Sequence, residues 1–199
     1  VKMKVKQMEY IHQLISRTFN FEGLLKEIAY IRKNKSEAHE FEEETMKPVL
    51  EQISIALLAE TENTLKFKQQ LINLLQENQK AQLLERIKRG SDYYKNVLLQ
   101  ATKKLLRHLE EIKMQKRVKG YATSLADMDH LFSKKVEEVD KALYLTEAIL
   151  EDRDHFDFTK LTKNRIEERA KLLDDIRRTI GIKSVRERKL KGVRGSKKK

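Results

Sequence analysis

Between Leu84 and Ile112 the chain keeps a single rhythm. Leu84, Ile87, Ser91, Tyr94, Leu98, Ala101, Leu105, His108 and Ile112 recur at alternating steps of three and four. That is the period of a helix laying one stripe along a partner helix. A strand would need period two, and a loop would show none. The seam predicts a helix over residues 80–119, ended by Gly120. A second seam follows, with Leu125, Met128, Phe132, Val136, Val139, Leu143, Thr146 and Leu150. It opens on Ser124 and Asp127, which resemble a capping box, and it predicts a helix to about Glu151. Two long helices joined by a short turn should lie antiparallel. Gly90 sits inside the first seam, where glycine costs ~1 kcal/mol relative to alanine. A kink is one reading of it.

The same spacing runs through the rest of the chain. Met8, Ile11, Leu14, Ile15 and Phe19 mark a helix from about Met3 to Phe19. The alternating opening Val1–Lys6 is either a strand remnant or a frayed helix end. Asn20 can cap a second helix from Phe21 to about Lys33, with Leu24, Leu25, Ile28 and Ile31 inward. Asn34–Ser36 read as a turn. A third segment covers Glu37–Ala59, where Pro48 removes a helix hydrogen bond and predicts a break or kink near Met46. Val49, Leu50, Ile53, Leu57 and Leu58 should pack beyond it. Thr61–Asn78 reads as a separate helix, with Leu65, Ile72 and Leu75 on one stripe and Phe67, Leu71 and Leu74 beside it. After a connector at Asp152–His155, Thr159 or Thr162 should cap a last helix. Its stripe is Ile166, Ala170, Leu173, Ile176 and Ile180, closed by Gly181. The fold class expected is therefore all-α, an elongated bundle of about six or seven helices over residues 1–182. Residues 183–199 form a basic tail or linker.

Charge is strongly segregated. The net charge is +12, yet residues 183–199 hold nine bases and one acid, so the body is close to neutral. Within that body, residues 37–62 hold eight acids and one base. Residues 86–119 hold eleven bases and three acids, and residues 120–158 ten acids and four bases. The basic helix either packs against acidic neighbours or faces an acidic partner. Cysteine is absent, which excludes disulfides, thiolate metal sites and thiol nucleophiles. The longest nearly apolar run, Ile53–Ala59, is far short of the ~20 residues that span a bilayer. No secretory signal is recognisable at the N-terminus. The expectation is a cytoplasmic location with no membrane partner. The first residue is Val1, which suggests a piece of a longer polypeptide.

No reaction is announced by these residues. Asp127 with His130 and Asp152 with His155 have the i, i+3 spacing of bundle metal ligands. Acids are frequent enough here for two such pairs to arise by chance. The glycines stand too far apart to build a P-loop or a dinucleotide fingerprint. No serine sits in a nucleophile elbow. No cofactor is expected in this chain. The best binding candidates are the cations of the basic helix: Arg86, Lys88, Arg89, Lys95, Lys103, Lys104, Arg107, Lys113, Lys116, Arg117 and Lys119. They could neutralise phosphates without reading sequence. Lys183, Arg186, Arg188, Lys189, Lys191 and Arg194 of the tail could do the same. Tyr93 and Tyr94 could stack on bases, although Tyr94 falls on the seam and reads as core.

Several stretches carry a resemblance. They are Gln13-Leu14-Ile15-Ser16-Arg17-Thr18-Phe19-Asn20-Phe21-Glu22-Gly23-Leu24-Leu25, Phe67-Lys68-Gln69-Gln70-Leu71, Leu84-Glu85-Arg86-Ile87-Lys88-Arg89 leading to Tyr93-Tyr94, and the closing Gly195-Ser196-Lys197-Lys198-Lys199. Together they resemble the helical region that follows the motor in bacterial RecD-like superfamily I DNA helicases. The family's ATP-binding loop and helix-turn-helix have no counterpart in these residues, so no ATPase role transfers to any of them. The resemblance implies a non-catalytic accessory module that contacts DNA non-specifically or positions neighbouring domains. Its partners would be DNA and the rest of a larger helicase polypeptide. The alternative is a structural or protein-interaction bundle, a homodimer through its heptad seams.

Overall fold

The computed structural model describes residues 2–35, 40–114, 119–153 and 155–181, with side chains described for all of these except those within 32–47 and 112–124. Six helices and no strand form among the described residues. They are α1 (Val5–Thr18), α2 (Phe21–Lys35), α3 (Glu40–Gln76), α4 (Lys80–Met114), α5 (Lys119–Leu150) and α6 (Thr159–Thr179). The all-α expectation holds. Residues 183–199, the expected tail, lie outside the described residues.

The seams of α4 and α5 face each other, as their spacing requires, and this is the most extensive helix pair in the molecule. Ile87, Leu98 and Leu105 of α4 and Val136 of α5 are fully buried. Between Leu131 and Leu150 only Lys134 is exposed, because α1, α2, α4 and α6 all pack around α5. The seams that a homodimer would use are thus filled within one chain.

Two expected boundaries and two expected stripes are corrected. The segments Glu37–Ala59 and Thr61–Asn78 are one 37-residue helix, α3, and Pro48 lies inside it. Proline removes a single ladder bond, and the stripe Leu50, Ile53, Leu57, Thr64, Phe67, Leu71 and Leu75 is buried on both sides of residue 60. That continuous burial carries the helix through residue 60. Leu58 and Leu65 do not pack inward; they are 63 % and 54 % exposed. Gly120 and Ser124 end and cap nothing, since α5 already runs from Lys119. In α6, Ile166 is exposed and Ala170 faces solvent, while Arg165 and Arg169 face the bundle.

The turns rest on identifiable chemistry. Asn20 Oδ1 accepts the Gly23 amide at 2.9 Å, the expected cap of α2. The α3–α4 turn is a Schellman motif. Asn78 takes φ 59°, its amide donates to Leu75 O at 3.1 Å, and the Gln79 amide donates to Leu74 O at 2.9 Å. Helix α5 ends the same way on Asp152, φ 53°, with Arg153 donating to Ala148 O at 2.8 Å. Asn and Asp adopt this left-handed conformation more readily than other residues with a Cβ. Both side chains then hold α1. The Met3 amide donates to Asn78 Oδ1 at 3.0 Å, and Gln7 Nε2 donates to Asp152 Oδ1 at 2.8 Å. At the start of α6 the acceptor is Asp157, not Thr159 or Thr162. Its Oδ1 takes the Thr159 amide at 2.9 Å, and that bond holds the Asp157 carboxyl below its ordinary pKa.

Gly90 does not break α4, which is helical throughout. The ring of Phe67 lies on its Cα. A Cβ built there would come within 2.0 Å of Phe67 Cζ. The glycine is what lets α3 approach α4. Phe67 in turn meets Phe19 edge-on at 5.1 Å and Tyr94 at 5.3 Å, and Phe21 packs on Tyr94 at 5.3 Å. This aromatic cluster joins the α1–α2 corner to α3 and α4.

Candidate nucleic-acid interface

The buried seam of α4 leaves its opposite face to solvent. Arg86, Arg89, Tyr93, Lys104 and Arg107 fall on one line of that face, at steps of three, four, eleven and three. Lys103 flanks it, and Lys88 lies about a third of a turn further round the exposed surface of the helix. Six of these seven residues are exposed cations, against two exposed acids, Glu85 and Asp92, between residues 80 and 107. From Arg86 to Arg107 the line is about 32 Å long at 1.5 Å per residue.

The ends of the line differ. At the N-terminal end, Arg86, Arg89 and Tyr93 border a groove of about 370 Å³ against Lys66 and Gln70 of α3. Arg86 Nε donates to Gln70 Oε1 at 3.1 Å, which holds the guanidinium over the groove. Arg89 makes an exposed pair with Glu85 at 2.6 Å, an interaction worth only ~0.5 kcal/mol and easily exchanged. The Tyr93 hydroxyl donates to Glu60 Oε1 at 2.7 Å, and this bond raises its pKa. Its ring remains half exposed (49 %). At the other end, Lys103 borders a groove of about 350 Å³ shared with Arg169 and Lys171 of α6. Lys66, Arg169 and Lys171 were not among the residues singled out from sequence. Their signal lies in the packing of α3 and α6 against α4, which spacing along one helix does not carry.

Two of the expected contacts are spent elsewhere. Lys95 is turned inward, pairing with Asp140 of α5 at 3.1 Å and with Glu168 of α6 at 3.7 Å. It belongs to a polar layer that docks α6. Arg165 pairs with Asp140 at 3.6 Å and Glu168 at 3.2 Å. Arg169 pairs with Asp129 and donates to Ser133 Oγ at 2.7 Å. Arg177 reaches Glu110 at 3.4 Å. Burial raises the Asp140 pKa although two cations flank it, so desolvation outweighs their attraction there. Tyr94 is core, 4 % exposed, and is not available for stacking. Lys113 and Lys119 lie on α4 and α5, with side chains outside the described set. Lys116, Arg117, Lys183, Arg186, Arg188, Lys189, Lys191 and Arg194 lie outside the described residues.

Asp152 is occupied by Gln7, and no group of three His, Asp or Glu among the described residues could hold a metal ion. No described helix is long and apolar enough to cross a membrane.

Comparison with known families gives one match. The family described as "DNA helicase, middle domain" matches residues 2–168, covering α1 to α5 and half of α6. No curated protein and no solved structure matches significantly.

Proposed function

The chain belongs to the DNA helicase middle-domain family, and from that premise we propose that it is a non-catalytic module gripping the DNA backbone through the outer face of α4. The RecD-like superfamily I helicases are the subfamily this reading favours. The carrying observation is the set of six exposed cations from Arg86 to Arg107, of which Arg86 is held by Gln70 and Arg89 by an exposed pair with Glu85. A sequence-independent grip requires cations that are unspent and in line, and phosphate contact displaces condensed counterions. The exposed Tyr93 ring beside Arg86 and Arg89 offers a stacking surface for an unpaired base. Helix α5 and the aromatic cluster hold the row rigid, so the same module can also fix the spacing of its neighbours in the polypeptide.

A salt titration tests the reading, with single- and double-stranded DNA of fixed length. If all six cations meet phosphates, log K against log salt falls with a slope of about −5 on duplex and about −4 on single strands. Arg86→Gln with Arg89→Gln lowers the slope by about two on duplex. Lys95→Met leaves it unchanged, because Lys95 faces inward. Absence of binding at low salt, or a slope indifferent to the α4 substitutions, overturns the proposal. A chain ending at residue 182 separates the sources of charge. Complete loss of binding in it moves the site to the basic tail.

A further inference from the structure

Helix α3 carries a stripe that its own bundle leaves uncovered. Ile55, Leu58 and Leu65 are 67 %, 63 % and 54 % exposed. With Glu62 they follow steps of three, four and three, the spacing of a seam built to meet another helix. Directly behind them the same helix buries Ile53, Leu57 and Thr64. The helix is therefore apolar on two opposite faces, and only one is covered by the described residues. Isolated exposed aliphatics are ordinary, whereas three in seam register on one helix are the mark of a contact surface.

The charge of the stripe identifies what fits it. Glu62 stands in the middle of the seam, and Glu51 is exposed one turn before Ile55. Glu62 makes only a solvent-exposed pair with Lys66 at 3.1 Å, both side chains more than two-thirds exposed. A helix laid over the seam would bury part of Glu62, and burying a carboxylate is costly unless a cation meets it. Residues 37–62 carry eight acids and one base. On the face itself Glu51 and Glu62 stand against one exposed cation, Lys66, so a cationic partner fits it better than a second copy, DNA or an anionic lipid surface.

We infer that the Ile55–Leu58–Leu65 face of α3 docks a basic amphipathic helix from the rest of the helicase polypeptide. That helix presents aliphatic side chains at seam spacing and a Lys or Arg opposite Glu62. The inference rests on membership of the helicase family and not on DNA contact through α4.

Because the chain contains no cysteine, Leu58→Cys places one thiol in the stripe. A second variant, Lys163→Cys, places one at an exposed position of α6 as the reference. Maleimide labelling of each site is followed by peptide mass spectrometry, without DNA, in the 199-residue chain and in the full helicase polypeptide. Residue 58 should label rapidly in the short chain and at least tenfold more slowly in the full polypeptide, with residue 163 unchanged. Glu62→Lys in the full polypeptide should restore fast labelling. Equal rates at residue 58 in both contexts overturn the inference. So does protection in the short chain that grows with its concentration, which assigns the face to a second copy. Neither outcome touches the salt dependence of DNA binding, so the two proposals fail separately.

Discussion

Replacing Gly90 by alanine should destabilise the protein, although every helix propensity scale says the opposite. In an exposed helix interior the substitution would gain about 1 kcal/mol. Here the new methyl would lie 2.0, 2.3 and 2.9 Å from three atoms of the Phe67 ring, where ordinary contact begins near 3.4 Å. The ring must retreat by more than an ångström. It cannot do so without cost, because it is 8 % exposed and sits between Phe19 and Tyr94. Overpacking of this kind costs about 1–3 kcal/mol. Net of the propensity gain, a loss of up to about 2 kcal/mol follows, or a fall in Tm of up to about 8 °C for a chain of this size. Urea unfolding monitored by circular dichroism measures it. The decisive arm is a double-mutant cycle with Phe67→Leu, which shortens the opposing side chain. In that background Gly90→Ala should turn neutral or stabilising, giving a coupling above about 1 kcal/mol. Additive effects, or stabilisation by Gly90→Ala alone, would refute the packing role of the glycine.

Other perturbations have definite signs. The Ser91 hydroxyl is buried in the α4 seam without a hydrogen-bond partner, so Ser91→Ala should raise the unfolding free energy by up to about 1 kcal/mol in the same titration. Arg169→Met leaves Asp129 nearly buried beside an Oδ1 that already lacks a partner. With Arg169 one-third exposed, a loss of about 1–3 kcal/mol is expected, largely recovered by adding Asp129→Leu. Burial lowers the pKa of His108, against the pull of Glu111. The unfolded chain therefore binds a proton there more readily than the folded one. Stability should fall as the pH drops below about 6.5, and His108→Gln should flatten that part of the Tm–pH curve.

The seams of α4 and α5 were legible because a period-3.5 stripe over eight or nine positions has one physical meaning. Tyr94 was legible for the same reason, and so was the Asn20 cap. Pro48 and Gly120 misled because both were weighed as isolated breakers. Each costs a bond or some backbone entropy locally, and neither cost by itself ends a helix. Gly90 resisted because its purpose is a ring on another helix. In the candidate site, the cationic face of α4 could be read from composition, but Lys95 could not be separated from its neighbours until Asp140 was placed opposite it. Arg165 and Arg169 could not be read because their acidic partners Asp140 and Asp129 stand on another helix.

That docking of α6 sets it apart from the other helices. In α6 Ile176 is buried, and Leu172 and Leu173 are partly buried against the core, so peeling it away exposes a small apolar patch and should contribute modestly to the heat capacity or denaturant slope of unfolding. It also exposes charges that water and salt receive well. The first amides to exchange with deuterium should therefore be those of α6. Their protection should drop as potassium chloride is raised, while that of α4 and α5 stays constant. A solvent variable thus sets how long the last described helix stays in place.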